Sequence, residues 1–177
     1  MHEKTLRSLA RYRQKVNNLL AELEHLPAET LSRKPADGGW SAIQTMQHMA
    51  LTDGGSLAYV RKKLSFNPEL ERPGLGAWIR YQLLIATLRS PLRFKAPKSV
   101  GAPEVLPNDA AFADVRAAWL KAIDDWENFL RTMPAELADK AVFKHPRAGR
   151  LSWAQVIGFF HPHLDRHRGQ ILRAVKN

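Results

Sequence analysis

Apolar residues recur every three or four positions through most of this chain, and nowhere do they alternate with polar ones for long. Leu6, Leu9, Tyr12 or Arg13, Val16, Leu19, Leu20 and Leu23 predict a first helix over about 4–26, ended by Pro27 and the polar run to Gly38-Gly39. Ser41, with Gln44 three residues on, makes a Ser-x-x-Gln capping box that opens a second helix, and Trp40 sits just outside as its hydrophobic staple. Ile43, Met46 or Gln47, Ala50 and Leu51 mark its apolar face, which Leu57, Val60 and Leu64 carry past Gly54-Gly55 to about residue 64. Residues 66–76, rich in Pro and Gly, read as a loop, and 77–88 as a short apolar helix. The stretch 90–108 holds Pro91, Pro97, Pro103 and Pro107 and reads as a long irregular excursion, expected as a flap near the mouth of a site.

Asp109 or Asn108 then caps a helix over about 110–132, with Phe112, Val115, Trp119, Ile123, Trp126, Phe129 and Leu130 on its core face. Residues 134–140 read as a turn, and 141–150 as irregular chain or a small hairpin. Ser152 with Gln155 repeats the capping box and opens a last helix, apolar nearly all round at Val156, Ile157, Phe159 and Phe160. The two boxes, each beside a Trp and each opening a His-bearing helix, are either the echo of an internal repeat or a coincidence. Pro162 either kinks the last helix near Gly158 or begins a new one. Gly169 inside it implies close approach by a neighbouring helix or a ligand.

The pattern is all-α: four long helices, one short extra helix and long Pro-rich loops, arranged as a four-helix bundle over a single domain, 1–177. Composition agrees, with 45% hydrophobic and 25% charged residues. No apolar run is long enough to span a bilayer, and the N-terminus has no apolar signal core, so a cytoplasmic protein is expected. The absence of cysteine excludes disulfides, a thiolate nucleophile and Cys-based zinc sites. The net charge of +10 suits an anionic partner, but the basic residues form no single stripe, which argues against nucleic acid as the main partner.

The candidate chemistry lies in histidines. His163 and His167 are four residues apart, so a helix stacks them on one face, where two neutral imidazoles can share a metal ion. His48, in the second helix, is the best third ligand. His161, two residues before His163, points about 200° away on a regular helix and reads as a hydrogen-bonding histidine. Gln44 and Asp53 are candidates to support the ligands, and Arg150, Arg166 and Arg168 to meet an anionic substrate; a solvated surface explains such residues as well. Neither a nucleophile with a convincing base nor a phosphate-binding loop is present, so catalytic residues stay unassigned.

Trp40-Ser41 followed by His48, then His163-x-x-x-His167-Arg-Gly-Gln170-Ile, resembles the DinB-like superfamily of four-helix metalloproteins, which includes S-transferases dependent on bacillithiol or mycothiol. The resemblance spans the helix order and the three histidines. It implies His48, His163 and His167 as ligands of one divalent metal between helices, zinc by default and nickel as the other choice. It implies a metal-dependent thiol transferase or hydrolase acting on a small molecule, with a low-molecular-weight thiol as partner, and a homodimer. The alternative is a non-catalytic metal-binding or stress-related module that contacts nucleic acid through its basic surface. The chain departs from the commonest pattern in Pro162, in His161 and in the excursion from Ser90 to Pro107.

Overall fold

The computed structural model describes residues 2–91 and 97–176. Four long helices make the body: α1 (His2–Leu23), α3 (Ala42–Leu64), α6 (Phe112–Thr132) and α7 (Trp153–Lys176). Shorter helices stand between them: α2 (Ala28–Ser32), α4 (Leu75–Arg89) and α5 (Lys98–Gly101). A two-stranded antiparallel hairpin, β1 (Ala141–His145) and β2 (Gly149–Ser152), leads into α7. Helix α3 packs against both α6 and α7, and α1 packs against the same two from the other side, which closes a four-sided bundle; α4 lies outside on α7 and β2.

Each long helix turns its apolar stripe inward. Leu9, Tyr12, Val16, Leu19, Leu20 and Leu23 of α1 are buried, as are Val115, Trp119, Ile123, Trp126 and Leu130 of α6. Both capping boxes form: the Ser41 hydroxyl accepts from Gln44 N–H at 3.2 Å, and Gln155 N–H reaches the Ser152 hydroxyl at 3.4 Å while its side chain accepts from Ser152 N–H. They fix where α3 and α7 begin, and therefore which way every later side chain on those helices points.

Several expectations are corrected. The core face of α3 runs through Ile43, Met46 and Met49 to Leu57 and Val60, and Leu51 is exposed, because the opposite face belongs to His48 and the cleft described below. No new helix starts at Pro162; α7 passes through it unbroken. Among the described residues a neighbouring helix comes closest at Gly158, where a Cβ would stand 2.5 Å from the Tyr81 hydroxyl of α4; a Cβ on Gly169 would meet no other helix within 4 Å, and Gly169 instead lines the cleft described below, beside the Arg173 guanidinium of its own helix. Neither Asp109 nor Asn108 caps α6, whose N-cap is Ala111; the Asn108 amide instead donates to Ser32 O. The excursion contains α5 and a 3-10 turn at Pro103–Val105, and its residues 92–96 lie outside the described ones. The segment 141–150 resolves as the hairpin.

Candidate metal centre

His48 is on α3, seven residues past its cap, and His163 and His167 lie one turn apart on α7. Where these helices face each other the three rings meet. Their nitrogen atoms can be chosen so that all lie within 4.8 Å of one another, and the residues are only 4%, 7% and 9% exposed. The Nε2 atoms of His48 and His163 are 3.4 Å apart. Two nitrogens bound at ~2.05 Å to one tetrahedral ion stand about 3.3 Å apart, so this pair is already at ligand spacing.

The hydrogen bonds decide which nitrogen each ring presents. His48 donates from Nδ1 to Val100 O at 2.7 Å, and His167 from Nδ1 to Gln170 Oε1 at 3.0 Å. With Nδ1 protonated in both, the Nε2 lone pairs face inward. His163 Nδ1 is buried without a partner among the described residues. Burial keeps all three imidazoles neutral at pH 7, and for His163 and His167 the neighbouring rings add to it: His48 and His163 titrate below the usual histidine value and His167 is pushed down to about 3. Three neutral donors with converging lone pairs fit a divalent cation, and the set leaves that ion its full charge.

Around the rings the structure adds residues that sequence reasoning gave other roles or none. Trp40, expected as a staple, walls the site with its ring 5.0 Å from His48 and stacked 6.4 Å from His167. Phe159 stacks on His163 at 4.9 Å. Gln170 follows His167 by three residues, and helical spacing alone would have paired them. Val100 could not have been found, because its contribution is a backbone carbonyl from the short helix α5, 52 residues away.

The other candidates sit elsewhere. Gln44 divides its side chain between the α3 capping box and Leu106 O. Asp53 accepts from Tyr12 and Trp119 in the bundle core. Arg150 is exposed on β2 close to Lys63, whose ammonium is held below its usual pKa by partial burial and then by the Arg150 charge. Arg168 pairs with Glu22 on the surface, while Arg166 lines the cleft and donates to Leu88 O and Ser90 O. His161 turns away from the site, as expected, and its Nε2 meets the Ser8 hydroxyl and carbonyl, each at 3.1 Å.

The histidines open into a cleft of about 2020 Å³, lined from α3, α4, α5, the hairpin and α7. That is more room than an ion and its waters need and enough for an organic substrate. The family model of the DinB superfamily matches residues 11–171. The chain belongs to the DinB superfamily. Comparisons with curated proteins and with solved structures gave no match. The resemblance read from the helix order and the three histidines therefore holds at the level of the superfamily, and this DinB-superfamily chain carries a buried three-His group compatible with metal binding. No helix among the described residues is long and apolar enough to cross a membrane. The described parts of the excursion, at Ser90, Pro91, Pro97, Ser99, Val100 and Gly101, border the cleft.

Proposed function

We propose that this protein is a metal-dependent transferase that uses a low-molecular-weight thiol, with His48, His163 and His167 holding a divalent ion, zinc or nickel. The observation that carries the reading is the convergence of three buried histidine nitrogens beside an open cleft, with the Nδ1 partners of His48 and His167 already in place. A divalent ion bound there supplies Lewis acidity that favours the thiolate form of a thiol. The protein's own part is to orient and to exclude water. Val100 and Gln170 hold two rings in one tautomer, and Trp40 and Phe159 shield the histidines. Hydrolysis is the less supported reaction, because it asks for a general base. The acids lining the cleft are Asp37 and Asp165; Asp37 accepts from Gly39 N–H, and Asp165 is ion-paired with Lys15.

The test is metal content by elemental analysis of untagged protein beside the variant His48→Ala/His163→Ala/His167→Ala. About one zinc or nickel per chain, lost in the variant, is expected. Thiol consumption with a panel of electrophiles should follow the metal, and His163→Ala should lose metal and turnover together at unchanged helix content. Wild type that stays metal-free when offered zinc, nickel and manganese would refute the reading and favour a non-catalytic module.

A further inference from the structure

A fourth histidine faces the same cleft. His145 ends β1, and its ring lies 5.1 Å from that of Phe159, which in turn stacks on His163. His145 Nδ1 stands 3.2 Å from the backbone nitrogens of both Arg147 and Ala148 in the hairpin turn. Both N–H groups donate, so Nδ1 carries no proton, and the neutral ring must hold its proton on Nε2. Nε2 has no hydrogen-bond partner among the described residues. Burial, and then the charge of Arg147, pushes this ring down to about 4, so it stays neutral at pH 7. The turn is itself held: Gly149 takes a left-handed φ of 72°, and Arg80 lies against it and donates to Ala148 O at 3.3 Å.

A turn that needs only an acceptor over two amides is served by Asp, Asn or Ser at this position. Histidine does the same and also carries a fixed N–H on its far side. The cleft around it is cationic, with Arg89, Arg147, Arg166 and Arg173 in its lining against Asp37 and the Lys15-paired Asp165. We propose that His145 is a substrate-binding residue, donating its Nε2–H to an oxyanion group of a small-molecule substrate while the arginines of the cleft supply the counter-charge. This rests on the cleft being the active site. A neutral donor of fixed tautomer adds one more directed hydrogen bond, from the hairpin side, to those that guanidinium groups can give.

The test uses the full chain, with and without one equivalent of zinc, and sulfate as a weakly coordinating probe. The imidazole 1H–15N spectrum should show His145 as the Nε2–H tautomer, with a resonance that shifts saturably on adding sulfate. His145→Asn keeps an acceptor for Arg147 and Ala148 but removes the far N–H; it should melt within about 2 °C of wild type and bind sulfate about tenfold more weakly, followed by backbone amide shifts. His145→Gln should do the reverse, keeping sulfate binding within about threefold while lowering the melting temperature. An Nδ1–H tautomer, equal sulfate affinity in wild type and His145→Asn, or equal loss in both variants would overturn the proposal. Zinc stoichiometry on the same samples separates the two readings: sulfate at His145 without zinc binding removes the metal centre and leaves this site, and the converse removes only this site.

Discussion

Asp53 is fully buried, and its Oδ2 accepts from Tyr12 at 2.6 Å and from Trp119 Nε1 at 2.9 Å, while Oδ1 has no partner among the described residues. Desolvation outweighs those two bonds and lifts the carboxyl from 3.8 to about 7. Between these values the folded protein binds a proton that the unfolded chain has released, so the stabilisation is complete below about pH 4 and is lost as pH rises through about 7. At 1.36 kcal/mol for each pKa unit, the full loss is about 4 kcal/mol, of which roughly 3 falls between pH 5 and 8.

The depressed histidines act in the opposite sense. Their folded forms refuse protons that the unfolded chain accepts below about 6.5, so they add stability as pH rises toward that value. Wild type alone therefore shows a mixture, and the informative quantity is its difference from Asp53→Asn. That amide imitates the protonated acid, with one oxygen for both donors and an N–H group where Oδ1 stood. Urea unfolding followed by far-UV circular dichroism, in chelator, should find the two proteins close at pH 5 and the variant the more stable by pH 8. A difference that stays flat within about 0.5 kcal/mol over that range would refute the buried, proton-holding carboxyl. Asp53→Ala leaves two buried donors without an acceptor and should lose about 2–6 kcal/mol at every pH.

Gln170→Ala removes the acceptor that fixes His167, and zinc affinity measured by competition with a chelating dye should fall about 10–100-fold with helix content unchanged. Gly158→Ala places a Cβ against the Tyr81 hydroxyl and should destabilise by about 1–3 kcal/mol in urea; adding Tyr81→Phe, which withdraws that oxygen to leave Cζ at 3.8 Å, should restore most of it. Ser41→Ala opens the α3 capping box at a buried position and should cost about 1 kcal/mol by the same unfolding assay.

How much of this was legible depends on the distance over which each feature is encoded. The long helices, the two capping boxes and the His163/His167 pair rest on spacings of three and four residues, and all stand in the structure. Asp53 follows His48 by five residues, about 140° round the helix, so rotation alone would have placed it on another face. Helix α2 has five residues, too short to show a period, and α5 has four. Nothing local says which way a hairpin turns; the pairing of Lys144 with Arg150 and of His145 with Gly149 puts His145, and not Arg150, among the residues that line the cleft. The Val100 carbonyl belongs to no residue type and leaves no trace in sequence.

The site depends on the rotation of α3 more than on its presence. The core face of that helix uses Met46 and Met49, flexible side chains that repack readily, so apolar contact alone specifies its rotation weakly. Asp53 supplies what they do not. Tyr12 from α1 and Trp119 from α6 reach its carboxyl, and Trp126 of α6 donates to the backbone carbonyl of Asp53 at 2.9 Å. A slip of α3 by one residue would turn it by about 100°, break all three bonds and swing His48 away from His163. A buried carboxyl that lowers stability at neutral pH thus has a compensating use: it sets the angle at which His48 meets the two histidines of α7.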